Sequence, residues 1–164
     1  MVAHMRILGI DPGSHTIGYG LIVYDSGRYT AESFGTIQVP PKTPQPITLA
    51  SIYTDMTELL AQIQPDVMVV EQLFFFKNVS TAMTVAQARG VIVLTGQQAG
   101  VELAEYTPLQ VKRAVTGKAK AAKEQVAFMV QRLLGIKKEI RPLDISDAMA
   151  VAITHAQRVK LEKK

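Results

Sequence analysis

The chain has 164 residues, 48% of them apolar, no cysteine, and a formal charge of +4. That length suits one packed core and is short for two, and the lack of cysteine excludes disulfides, thiolate metal sites and cysteine nucleophiles. No stretch approaches the roughly 18 uncharged apolar residues of a membrane span, and the N-terminus lacks a basic-then-apolar leader, which together predict a cytoplasmic protein.

A single domain is expected over residues 5–160, with residues 1–4 an alternative start or a cloning remnant ahead of Met5. "RILGI" (6–10) reads as a short buried strand. "IGYGLIVYD" (17–25) and "RYTAESFGTIQV" (28–39) are rich in β-branched and aromatic residues, and Ser26-Gly27 between them predicts a hairpin. A proline-rich break, "PPKTPQP" (40–46), precedes a helix in which Ile52, Met56, Leu59, Leu60 and Ile63 recur at helical spacing before Pro65. "DVMVVE" (66–71) is the next strand, and the crossover rule sets it parallel to "RILGI". A helix over roughly 80–98, a short strand "VELAEY" (101–106) and helices near 108–116, 121–134 and 144–160 complete an α/β chain. Its sheet is mixed, with three antiparallel strands leading into two parallel ones.

Charge is unevenly spread. Residues 112–164 carry 13 Lys/Arg against 5 Asp/Glu, whereas residues 1–111 carry 5 against 9. A basic final third suits a polyanionic partner, and it equally suits ordinary solvated helix faces.

Four acids stand out by position. Asp11 follows "RILGI" and Glu71 ends "DVMVV", so adjacent parallel strands would bring both to neighbouring carboxyl ends, the usual place for a site in an α/β sheet. Taken singly, "DPG" is a common turn and a polar residue often ends a strand. Asp144 and Asp147 are three apart at the start of an apolar helix and share a face. The competing explanation is capping, with Asp144 at the N-cap and Asp147 in the first turn. If the helix packs beside the strand ends, like charges about 4 Å apart repel by roughly 4 kcal/mol per pair at an effective dielectric of 20. A divalent cation removes the conflict, and oxygen-only ligands favour Mg²⁺ or Mn²⁺.

"ILGIDPGSHTIGYGLI", "VVEQLFFFKN", "VKRAVTGKAKAAKEQVAFMV" and "LDISDAMAVAITHA", in that order from about Met5 to Arg158, resemble the RuvC-type Holliday junction resolvases of bacteria. The resemblance implies a ribonuclease-H-like fold and a homodimer that resolves four-way junctions by paired, symmetric, metal-dependent phosphodiester hydrolysis in recombination and repair. It places the family's acidic tetrad, catalytic and metal-binding, on Asp11, Glu71, Asp144 and Asp147, with Asp11 shared between two Mg²⁺ ions and Mn²⁺ able to substitute. Some relatives have histidine in place of Asp144. Products with 5′-phosphate ends and a branch-migration complex of the RuvA and RuvB type as partner are further implications.

The resemblance also gives the phenylalanines and lysines a use. Alternation along a strand cannot bury three successive rings on one face, so at least one of Phe74, Phe75 and Phe76 should face outward, where base stacking contributes about 1–3 kcal/mol. The match singles out Phe74, and Phe75 is kept as a second DNA-binding candidate; core packing is the alternative for Phe75 and Phe76. Lys112 and Lys123 fall on family lysines implicated in junction binding or catalysis, with Lys118 and Lys120 between them. His155 reads as a helix-interior histidine that orients neighbours, and the role of His15 is open. Ala82, Ala86 and Gly90 form a small-residue stripe that suits either a partner helix, the family dimerising there, or close packing on the sheet. The alternative function is a related nuclease acting on RNA or another branched nucleic acid. A sugar kinase or ATPase would need a second comparable domain, and a junction-binding protein without catalysis would not need four acids.

Overall fold

The computed structural model describes residues 4–73 and 78–162, so Phe74, Phe75 and Phe76 lie outside the described residues. The five strands are β1 (His4–Asp11), β2 (Thr16–Asp25), β3 (Arg28–Gln38), β4 (Val67–Glu71) and β5 (Glu102–Tyr106). Five helices join or follow them: α1 (Gln45–Ile63), α2 (Val79–Gln98), α3 (Pro108–Thr116), α4 (Lys123–Leu134) and α5 (Leu143–Glu162). The sheet runs β3-β2-β1-β4-β5. β1, β2 and β3 are antiparallel neighbours, whereas β4 pairs parallel with both β1 and β5. This is the mixed sheet expected from the order of elements.

Local chemistry explains the boundaries. Ser26 and Gly27 both take positive φ, 49° and 89°, as a two-residue hairpin with the right-handed twist of its strands requires. α1 opens with Pro46 in its first turn and closes on Gln64 in the left-handed conformation. Thr107 caps α3, its hydroxyl accepting from Gln110 N at 3.2 Å while Gln110 Oε1 accepts from Thr107 N at 2.8 Å.

The sheet separates two apolar layers. Leu8, Ile10, Met68 and Val70 face α1 and α2, burying Ile52, Met56 and Ile92. Ile7, Val67 and Val69 face the other way, onto Met149, Ala152 and Ile153 of α5, with Val111, Val126 and Val130 packed outside that helix. Each fully buried Ile, Leu, Met or Val contributes about 1.5–3 kcal/mol against exposure, so both layers matter to stability. Enclosed by the sheet on one side and by α3 and α4 on the other, α5 is apolar nearly all round; only Asp147 interrupts the buried run from Ile145 to Ala156.

The depth at which α5 lies is set by glycine. A Cβ on Gly9 would stand 1.9 Å from the carbonyl oxygen of Ala148, and one on Gly18 would stand 2.2 Å from that of Asp144. Only a residue without a side chain lets the helix backbone rest on the strands at these points. Among the described residues no helix is long and apolar enough to cross a membrane.

Candidate active site

Strand parity decides where the first two acids point. Residues 7, 9 and 11 of β1 and residues 67, 69 and 71 of β4 share one face, the face onto which Ile7, Val67 and Val69 pack α5. Asp11 and Glu71 therefore leave the carboxyl ends of adjacent parallel strands on the α5 side. The β1–β4 register ends at Ile10 against Val70, one residue before each acid. Above them, the contact of α5 with Gly9 and Gly18 brings its first turn to the same strand ends.

The four acids consequently line one cleft of about 400 Å³ with Pro12, Gly13, Ser14, Lys112 and Lys123. Asp144 is the second residue of α5, inside the first turn, so it is not the N-cap that the capping explanation required. Lys123, the first residue of α4, sets its Nζ 3.1 Å from Asp147 Oδ2. Lys112 enters from α3. Lys118 lines a separate apolar depression with Phe128 and Met129, and Lys120 is exposed outside the cleft.

The electrostatics are those of crowded anions. Burial raises the Asp11 carboxyl well above the usual carboxylate range, and the charges of Glu71, Asp147 and Asp144 push it further. Glu71 is raised as well, by burial first and then by Asp147, against the lowering effects of the Asp11 bond, Lys123 and Lys112. Asp147 is raised by burial despite Lys123. Burial alone would lower the Lys123 ammonium, but Asp147, Asp11 and Asp144 outweigh it and raise the pKa.

The donor set fits hard divalent cations. It consists of carboxylate oxygens on rigid elements, with no sulfur, in a cleft that also holds Lys112 and Lys123. Among the described residues no three acids or histidines are drawn tightly enough to enclose a metal ion by themselves. Lys123 and Lys112 supply positive charge that such an arrangement requires.

The remaining candidates lie elsewhere. His155 is buried on α5, its Nδ1 2.9 Å from Tyr106 Oη, with burial lowering its pKa; it orients a neighbour and does not line the cleft. His15 Nδ1 is buried without a hydrogen-bond partner among the described residues. On α2, Ala86 and Gly90 are exposed and Ala82 is half-buried, beside the exposed Val79, Met83 and Leu94, and nothing lies within 4 Å of where a Gly90 Cβ would be. The stripe therefore does not pack on the sheet, as one of the two explanations had it.

Two features escaped the reading of the residues. Gly9 and Gly18 position α5, and glycines on one face of neighbouring strands were the available signal. Arg89 of α2 donates to the Glu71 carbonyl at 3.4 Å and pairs with Glu105; no local pattern announces it.

The family model described as crossover junction endodeoxyribonuclease RuvC matches residues 7–155. A crossover junction endodeoxyribonuclease RuvC of Syntrophomonas wolfei subsp. wolfei is 48% identical over 157 residues, covering 96% of this chain and 91% of that relative. One of Moorella thermoacetica is 49% identical over 152 residues, covering 93% and 91%. The Thermus thermophilus RuvC solved in complex with Holliday junction substrate superposes with a TM-score of 0.89 at 34% identity, covering 97% of each chain.

Proposed function

The chain belongs to the crossover junction endodeoxyribonuclease RuvC family, and on that premise we propose that it resolves four-way DNA junctions by metal-dependent hydrolysis at the cleft holding Asp11, Glu71, Asp144 and Asp147. The single observation that carries this reading is the convergence of four carboxylates, from two strands and a helix at least 60 residues apart in the chain, into a ribonuclease-H-like site flanked by lysines.

Asp11, Glu71 and Asp147 would hold Mg²⁺, or Mn²⁺ in its place, with Asp144 completing the set. When bound, such ions ready water for in-line attack and stabilise charge on the leaving oxygen. The protein's own residues do the rest. Asp11 and Glu71 leave neighbouring strand ends into one cleft, so both carboxylates can turn toward the same cation. Lys123 must leave Asp147 for the acid to turn to a cation, which frees an ammonium for the scissile phosphate or its neighbour. Lys112, from α3, supplies a second positive charge for the backbone. Lys118 and Lys120 extend the basic track beyond the cleft, and Phe74, with Phe75, supplies stacking against a base near the crossover.

Paired cutting needs two sites. The exposed apolar stripe of Val79, Met83, Ala86, Gly90 and Leu94 on α2 supports a homodimer, because small residues let two helices approach closely. Products with 5′-phosphate ends and cooperation with a branch-migration complex complete the proposal.

The test is incubation of the protein with a synthetic four-way junction and with linear duplex of the same sequence, with Mg²⁺ and with chelator, followed by nick mapping. Symmetric nicks near the crossover, in Mg²⁺ alone, are expected. Equal cutting of linear duplex, or cutting in chelator, refutes the reading.

A further inference from the structure

We propose that Arg89, on the face of the sheet opposite α5, is a positioning residue that fixes the exit of β4 and thereby the placement of Glu71 in the cleft. The proposal rests on the function assigned above.

Glu71 stands at an awkward point. It is the last residue of β4, the β1 ladder has already ended at Ile10–Val70, and the chain must leave the sheet through Gln72. A strand end free on one side frays readily, and a carboxylate there would sample a wide arc. Four contacts remove that freedom. Gln72 N donates to Tyr106 O at 2.8 Å, extending the β5 ladder by one bond. Arg89 reaches over from α2, its Nε donating to the Glu71 carbonyl at 3.4 Å and its Nη2 pairing with Glu105 on β5. Glu105 uses its second oxygen to accept from Gln72 Nε2 at 3.3 Å.

The four residues thus close a ring: Glu71 carbonyl, Arg89, Glu105, Gln72. Strand parity explains why the ring can form, since Glu105 points to the α2 face while its neighbour Tyr106 points to the α5 face with Glu71. The ring clamps the backbone of Glu71 from one face while its carboxylate works on the other. Arginine suits the task because a planar fork can hold a carbonyl and a carboxylate together, which a lysine ammonium does less well. The Arg89 side chain is only 20% exposed, so the clamp is partly shielded from competing water. Because α2 also carries the apolar stripe assigned to the second subunit, the same arginine ties the dimer helix to the backbone of Glu71.

The experiment compares the full-length protein with Arg89→Gln, Arg89→Lys and Glu105→Gln in single-turnover cutting of a four-way junction across a Mg²⁺ titration. Arg89→Gln is expected to lower the rate at saturating junction roughly tenfold to a hundredfold, the range that a displaced catalytic group produces. It should also raise the Mg²⁺ concentration for half-maximal rate, with junction affinity in chelator and the dimer unchanged within about twofold. Arg89→Lys should recover part of the loss, and Glu105→Gln, which leaves the guanidinium in place, should lose less than Arg89→Gln. Mn²⁺ binding to DNA-free protein, followed by calorimetry, should weaken in the same order, and this readout needs no turnover. A wild-type rate and Mg²⁺ profile in Arg89→Gln overturns the proposal. So does a rate loss matched by lost melting temperature or lost junction binding with Mn²⁺ affinity intact. If Arg89→Gln does not fold, Arg89→Lys and Glu105→Gln decide by the same criteria. A wild-type protein that cuts no junction refutes the assigned function instead, and the Mn²⁺ titration then still decides whether Arg89 governs the placement of Glu71.

Discussion

Lys123 Nζ lies 3.1 Å from Asp147 Oδ2, so the first residue of one helix neutralises an acid in the first turns of another. The lysine side chain is 62% exposed and the aspartate 15%. Such a pair contributes at most about 1 kcal/mol to stability, because water screens the lysine side. On the proposed function, its value lies in the chemistry of the cleft. Lys123→Ala is expected to change the melting free energy by less than about 1 kcal/mol while slowing junction cutting roughly a hundredfold, as loss of one preorganised donor does. Thermal melts and single-turnover rates check the two halves separately.

Asp11→Asn and Glu71→Gln should each abolish cutting while leaving junction binding within a few-fold of wild type, as gel-shift titrations in chelator would show. Asp11→Asn should also stabilise the metal-free protein by about 1 kcal/mol, because it removes a carboxyl whose burial and like-charged neighbours oppose its ionisation. Mg²⁺ should raise the melting temperature of the wild type and not that of this variant. Loss of binding and cutting together would mean that the acid holds the fold and not the chemistry.

Gly9→Ala tests how α5 is seated. The added Cβ would meet the Ala148 carbonyl oxygen at 1.9 Å, and that oxygen belongs to helix backbone that cannot turn aside. A loss of about 1–3 kcal/mol in denaturant unfolding is expected, the usual cost of overpacking. Cutting should fall further than stability accounts for, since α5 delivers Asp144 and Asp147.

The Tyr106–His155 contact predicts a pH dependence. Burial lowers the His155 pKa from its ordinary value of 6.5, so the folded protein keeps it neutral where the unfolded chain has begun to bind a proton. Its contribution is complete above pH 6.5 and is lost as the pH falls through the lowered folded value. The slope in that window is at most about 1.4 kcal/mol per pH unit for one proton. Urea unfolding from pH 7.5 to 5 should show the decline, and His155→Gln should flatten it.

Junction binding should weaken steeply with salt, because each phosphate contact releases condensed counterions. Lys112→Ala is expected to reduce the slope of log affinity against log salt by about 1. An unchanged slope would remove Lys112 from the phosphate contacts.

Much of this was legible locally. Ser26-Gly27 demanded a hairpin because both positions need positive φ, and the spacing of Ile52, Met56, Leu60 and Ile63 marked one buried helix face. The parallel pairing of β1 with β4 follows from the handedness of crossovers, and adjacency of the two strands then brings Asp11 and Glu71 to neighbouring ends. Capping and ligation could not be separated for Asp144, since both predict an acid at a helix start. Nor could the stripe on α2 be assigned a direction, since small residues suit a sheet and a partner helix equally. Periodicity says that a face is apolar and not what meets it.

The elements, their order and the positions of two acids at strand ends were written in the amino-acid sequence by itself, because they depend on near-neighbour geometry and a few chiral rules. The meeting of Asp144 and Asp147 with Asp11 and Glu71, the pairing of Lys123 with Asp147, and the Arg89–Glu105 clamp were decided only by the tertiary structure. Each joins groups from separate elements, and the separation between those elements is set by the absence of side chains at Gly9 and Gly18 and by what packs around them.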